Sequence, residues 1–260
     1  MLPHPSTTHK GQNGKVAILS GSKDYYGATV LTSLACLKSG IDLVFPIIPE
    51  CNRIIQASYS PEFIIKTYPE DYFTSESIAL VLDNVKNVDV LIIGPGLGKN
   101  KRTLKALNIL IPQLNFPLVI DADALYALNT SFKLPNNSVL TPHKTELKEL
   151  LKKNLPTNQK DLEIEIKHLS ENTNATVVLK GPIDIIVNQN EIHLNRTGNE
   201  SLTKGGTGDI LAGLIGGYIA QGLTAYEASK LATKNLGEAG DKLFKQKGYK
   251  YLTGELIDIL

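Results

Sequence analysis

The segment Gly205-Gly-Thr-Gly-Asp209, followed by the apolar run 210–219, puts an anion site beside a base. A glycine cluster opening a helix leaves amide groups unpaired at the positive end of the helix dipole, and the missing side chains let an anion come close. The amides of Gly205, Gly206, Thr207 and Gly208 are therefore candidates for a phosphate cradle. Asp209 is the candidate base for a hydroxyl attacking a terminal phosphoryl group. The competing roles are tight packing for the glycines and capping for the aspartate. The motif is not a Walker A loop, because Lys204 precedes the glycines and no Gly-Lys-Ser/Thr follows them.

Other chemistry-bearing residues stand at expected strand ends. Asp121 and Asp123 could organise Mg²⁺ through water, or cap the helix that follows. Thr141-Pro-His143 precedes a helix containing Glu146, so His143 can cap that helix. Lys180 opens Lys180-Gly-Pro182, where a lone lysine would ordinarily be a solvated charge. The loop Gly94-Pro-Gly-Leu-Gly98 lacks the G-x-G-x-x-G spacing of a dinucleotide fingerprint. His4, His9, His168 and His193 have no spacing that makes a metal site.

These residues need a scaffold that presents strand ends along one edge. Short β-branched runs at 16–19, 41–45, 88–93, 118–120, 139–140, 176–179 and 183–187 alternate with segments of helical composition, such as 29–39 and 144–153. That rhythm predicts an α/β fold with a mostly parallel sheet, helices on both faces and one domain over residues 1–260. Charge is balanced, 27 Lys+Arg against 26 Asp+Glu, and only Arg53, Arg102 and Arg196 are arginines, which argues against nucleic acid as a partner. The longest apolar stretch, 210–220, is about eleven residues, short of the roughly 18 of a membrane span. Cys36 and Cys51 allow at most one disulfide, and residues 1–15 lack the features of a signal or transit peptide, so a cytoplasmic location is expected.

Taken in order, the pieces resemble the ADP- or ATP-dependent NAD(P)H-hydrate dehydratases of the ribokinase-like superfamily. They are Lys10-Gly11 with Gly14-Lys-Val16, Gly21-Ser22 leading to Tyr26-Gly-Ala28, the 94–98 loop, Asp121-Ala-Asp-Ala-Leu125, Thr141-Pro-His143 with Glu146, Leu179-Lys-Gly181, and Thr197-Gly-Asn199 running into the 205–209 motif. The resemblance implies a catalytic role for Asp209 and substrate contacts from Ala28, Gly96, Gly98, His143 and Asp209. It implies nucleotide contacts from Lys180, Gly181, Pro182, Ile183, Asp184, Gly205, Gly206, Thr207 and Gly208. The metal ligands stay unassigned, with Mg²⁺ travelling on the phosphates of ADP or ATP.

The activity implied is repair of the S-epimer of hydrated NADH or NADPH. Phosphorylation makes the ring hydroxyl a leaving group, the ring nitrogen lone pair expels it, and ADP, favoured over ATP, yields AMP and phosphate. The implied partners are a second copy of the chain, with a tetramer among the states, and a separately encoded epimerase. Tyr126 departs from the asparagine common in the family, and Pro46-Ile-Ile-Pro49 from its usual continuation of the second strand. The alternatives are a small-molecule kinase of the same fold acting on a thiazole or pyrimidine alcohol, and a non-catalytic nucleotide-binding regulator.

Overall fold

The computed structural model describes residues 7–260. Nine strands form one sheet: β1 Lys15–Leu19, β2 Leu43–Pro49, β3 Lys66–Tyr68, β4 Val90–Ile93, β5 Leu118–Ile120, β6 Ser138–Leu140, β7 Ala175–Leu179, β8 Asp184–Val187 and β9 Ile192–Asn195. Their order is β3-β2-β1-β4-β5-β6-β7-β8-β9. The first seven run parallel; at one edge β8 pairs antiparallel with β7, and β9 antiparallel with β8, which restores the common direction.

Helices cover both faces, which is why the central strands are apolar throughout rather than alternating with polar residues. Along β1 the side chains divide by parity. Val16 and Ile18 join one core with α1 (Gly27–Lys38), while Ala17 and Leu19 face the other. The second core is closed by α3 (Ile78–Asn84), α4 (Lys101–Leu110), α5 (Lys144–Leu151) and α6 (Gln159–Thr173), with α2 (Arg53–Tyr59) beyond β2. The first is closed also by α7 (Thr207–Ala220), α8 (Ala225–Lys247) and α9 (Glu255–Ile259).

The apolar run 210–220 is thus a core helix. It rests on α1, where the Cys36 thiol donates to the Gly213 carbonyl at 3.3 Å. Cys36 and Cys51 are both free thiols. Among the described residues, no helix is long and apolar enough to cross a membrane.

Boundaries shift where pairing overrides local composition. The second strand, expected at 41–45, runs Leu43–Pro49 and takes in both prolines. Val44 turns its carbonyl to the Ile64 amide on the outer side, and Pro46, two residues on, has the same orientation. Its missing N–H therefore faces the margin of the sheet, ahead of the pairing with β3 that begins at Ile47, rather than β1. The expected helix 144–153 ends at Leu151, because Lys152 adopts a left-handed conformation at φ 52°.

Candidate active site

The parallel strands β1, β4, β5, β6 and β7 all point their C-terminal ends at one edge, where open α/β sheets bind ligands. Asp121 follows β5, Thr141 follows β6 and Lys180 follows β7. The ladder continues one step past the last two strands: the Lys180 amide donates to the Pro142 carbonyl at 2.9 Å, and a parallel bridge joins His143 to Lys180.

That pairing carries Lys180 inward, its side chain only 20% exposed. Its Nζ donates to Asp121 Oδ1 at 2.8 Å and lies 3.8 Å from Glu146 Oε2. Asp121, 1% exposed, also accepts from Thr141 Oγ1 at 2.7 Å. Burial works against the Lys180 charge, but Asp121, Glu146 and Asp209 outweigh it and hold the ammonium above its ordinary pKa. A lysine at a strand end is here a buried, oriented cation.

The glycine motif lies directly over this cation. Gly206 caps α7 at φ 94°, and a Cβ there would meet Leu31 Cδ1 at 2.4 Å, so only glycine starts the helix this close to α1. A Cβ on Gly208 would sit 3.3 Å from Lys180 Nζ. The Gly205 carbonyl accepts from Thr253 Oγ1 at 2.9 Å, and Lys204 Nζ donates to the Tyr249 carbonyl at 2.8 Å. Lys204 therefore braces the loop. The Thr207 amide is turned toward the Lys204 carbonyl at 3.4 Å, whereas the amides of Gly208 and Asp209 begin the helix, where no preceding turn supplies acceptors.

Asp209 stands in the first turn of α7. Burial raises its pKa to about 7, with Asp121 and Asp123 adding to the rise and Lys180 opposing it. A carboxylate held there can exchange a proton near neutral pH, as a general base must.

Asp209 and Gly206 line two cavities of about 890 Å³ each. One takes in Tyr25, Ala28, Gly96, Gly98 and Asp123, and is approached by the N-termini of both α1 and α7. The other takes in Lys180, Gly181, Pro182, Asp184, Thr207 and Gly208. Of the expected nucleotide contacts, Gly205 borders the first cavity, and Ile183 belongs to neither wall. Asp184 is engaged on both oxygens, by the Gly181 amide at 3.1 Å and Asn195 Nδ2 at 3.1 Å, which fastens the turn between β7 and β8.

His143, expected at the substrate, lines the Lys180 cavity. Its Nδ1 accepts from the Thr145 and Glu146 amides at 3.1 and 3.2 Å, and the His143 amide in turn donates to Glu146 Oε2 at 2.8 Å. This is a capping box with histidine in the serine position. Neither acid after β5 caps its turn with a side chain. Asp121 holds Lys180, and Asp123 accepts from the Gly98 amide at 2.8 Å. Among the described residues no three metal-ligating side chains converge, and His4 lies outside them.

The NAD(P)H-hydrate dehydratase family model matches residues 16–260. The chain belongs to this family. It is 42% identical over 254 residues to the bifunctional NAD(P)H-hydrate repair enzyme Nnr of Methanocaldococcus jannaschii, covering 97% of this chain and 48% of that protein. It is 30% identical over 255 residues to the ADP-dependent (S)-NAD(P)H-hydrate dehydratase of Cenarchaeum symbiosum, covering 97% and 89%. The ADP/ATP-dependent NAD(P)H-hydrate dehydratase of Bacillus subtilis, co-crystallised with ATP/Mg²⁺, superposes with a TM-score of 0.84 at 27% identity, covering 100% and 91%. The chain spans about half the length of the bifunctional relatives it matches.

Two arrangements in this dehydratase-family chain had little sequence signal. Lys99 places its ammonium 3.8 Å from the centre of the Tyr126 ring, so this tyrosine offers an aromatic face to a cation beside the cavity lined by Ala28, Gly96 and Gly98. Glu146 is 7% exposed and serves both the cap and the Lys180 cluster. The spacing of His143 and Glu146 is a capping-box signature, and it could have revealed the first of those roles.

Proposed function

We propose that the chain dehydrates the S-epimer of hydrated NADH or NADPH, with ADP favoured over ATP as phosphoryl donor. The observation that carries this reading is that Asp209 borders both cavities, so a hydroxyl in one can meet a phosphoryl group in the other across a single carboxylate. In this reading the ADP or ATP phosphates lie over Gly181, Pro182, Gly205, Gly206, Thr207 and Gly208, near Lys180 and Asp184. Thr207 Oγ1, at the start of α7, is buried without a hydrogen-bond partner among the described residues. Ile183 contributes through the backbone turn that positions its neighbours.

Asp209 takes the proton of the ring hydroxyl as that oxygen bonds to the terminal phosphorus, and the bond to AMP breaks when ADP is the donor. Lys180 and the loop amides stabilise the charge on the phosphoryl oxygens, where a single well-placed donor is worth roughly 10²–10³ in rate. The ring nitrogen lone pair then expels phosphate, and loss of a proton from the adjacent carbon restores the double bond. Ala28, Gly96 and Gly98 let the ring approach closely, and His143, whose Nε2 lies 3.4 Å from Glu146 Oε1, borders the ligand from the Lys180 cavity.

Mg²⁺ would be carried by phosphate oxygens and water, which suits an ion that needs few protein ligands and supplies charge neutralisation. Asp121 and Glu146 are already committed to Lys180. Homo-oligomerisation, with a tetramer among the states, a separate epimerase partner and a cytoplasmic location belong to the same proposal.

The test is to incubate the protein with NADH hydrate or NADPH hydrate plus Mg²⁺ and either ADP or ATP, following recovery of nicotinamide absorbance. Recovery with ADP supports the reading. No recovery with either nucleotide overturns it. Nucleotide-dependent phosphorylation of a thiazole or pyrimidine alcohol, without recovery from the hydrates, would assign the kinase activity instead.

A further inference from the structure

After α8 the chain runs back across the loop that carries the glycine motif, and alternate residues grip it. Tyr249 Oη donates to Glu200 Oε1 at 2.6 Å, and the Tyr249 carbonyl accepts from Lys204 Nζ at 2.8 Å. Tyr251 Oη and Ser201 Oγ share a hydrogen bond at 2.8 Å. Thr253 Oγ1 donates to the Gly205 carbonyl at 2.9 Å. The backbone at Tyr251 is extended, so neighbouring side chains face opposite ways: Tyr251 is 2% exposed and Leu252 73%. Leu256 and Ile257 of α9 then anchor the segment in the core that contains α1 residues.

Tyr249, Tyr251 and Thr253 line neither of the two 890 Å³ cavities, so they act on a ligand only through the loop. Of the four contacts, the one from Thr253 alone ends on loop backbone rather than on a loop side chain. The Gly205 carbonyl and the Gly206 N–H belong to one planar trans peptide unit and point in opposite directions. A carbonyl fixed toward Thr253 therefore turns the Gly206 N–H away from it. Gly206 lines both cavities, and its amide has no acceptor among the described residues.

A peptide unit between two glycines has no Cβ on either side to resist its rotation. An outside group must set its orientation, and Thr253 is placed to do so. A Cβ on Gly206 would lie 3.2 Å from Thr253 Cγ2, so the threonine packs against the same unit that it bonds. We propose that Thr253 is a positioning residue for phosphoryl transfer: its hydroxyl holds the Gly205–Gly206 peptide so that the Gly206 amide meets the terminal phosphoryl group of the donor. The inference rests on the nucleotide site of the proposed function and extends it to a side chain that touches neither ligand.

Thr253→Val removes the hydroxyl and keeps the shape and the methyl contact, whereas Thr253→Ser keeps the hydroxyl. Both leave the anchor residues Leu256 and Ile257 in place, and thermal denaturation without ligand checks that they fold. Loss of a charge-assisted contact should lower kcat/KM for ADP by about tenfold or more in Thr253→Val, with KM for the hydrate within about twofold of the parent. Thr253→Ser should restore kcat/KM for ADP to within about twofold of the parent. General loosening of the loop would raise the hydrate KM as well, because Gly206 and Asp209 border both cavities. The positioning role is overturned if Thr253→Val stays within about twofold of the parent, if serine fails to rescue, or if the hydrate KM rises in step.

If the parent protein dehydrates neither hydrate, the dehydratase reading fails separately, and calorimetric titration with ADP and Mg²⁺ decides the role of Thr253. Binding about tenfold weaker in Thr253→Val and restored in Thr253→Ser supports it. Binding that is absent from the parent, equal in the parent and Thr253→Val, or not restored by serine overturns it.

Discussion

A base is useful only when its proton is gone, so the position of Asp209 on the pH scale is also a statement about rate. With its pKa raised to about 7, the kcat/KM of the free enzyme should climb with pH through that value and level off above it. Asp209→Asn should lower turnover by roughly 10²–10⁴-fold. Stability should respond in the opposite sense. The folded state binds the Asp209 proton more tightly than the unfolded state, so its burial costs stability increasingly as pH rises from about 4 to about 7. Asp209→Asn removes that cost, and its advantage in Tm over the parent should grow across this window and then stay constant. Retained activity in the variant would sink the assignment of the base. This residue was legible because its motif is contiguous. The Lys180 to Asp121 pair was not, since its members stand 59 residues apart and meet only through the order of β5, β6 and β7.

Elements transmit that order to the site, and Gly94 shows how narrowly. It follows β4 at φ 129°, and a Cβ there would lie 1.8 Å from the Asp121 carbonyl oxygen, a backbone atom that cannot swing aside. Gly94→Ala should cost at least about 2 kcal/mol by strain and overpacking together. For a chain of this size that lowers Tm by roughly 4–8 °C in thermal denaturation. An unchanged Tm would show that the turn after β4 can relax without moving Asp121. The sequence marked 94–98 as a sharp turn and most parallel strands by their β-branched runs. It was silent on β3 and β9, which are short edge strands whose residues 66–68 and 192–195 owe their conformation to a neighbour. It also marked the prolines of β2 as anomalous, and their tolerance depends on which strand lies on which side.

At the scale of the whole molecule, a formal charge of +1 provides no general attraction for the two anionic ligands of the proposed reaction, so affinity must come from groups focused on one sheet edge. Because one continuous sheet carries that edge and shares both cores, ligand bound there should stabilise the entire fold and raise a single unfolding transition. ADP at about 100 times its Kd contributes roughly 2.7 kcal/mol, a rise in Tm of about 5–10 °C. Asp209→Asn should keep this rise, since the base acts on the hydroxyl and does not hold the nucleotide. Lys180→Met alone would strand Asp121 and Glu146 without their cation and destabilise the fold directly. The double variant Lys180→Met with Asp121→Asn removes a positive and a negative charge together, so it should fold and yet lose most of the ADP-induced rise. A double variant that keeps the full rise would show that the loop amides bind the phosphates without Lys180, and would move the ammonium from nucleotide binding to a purely structural role.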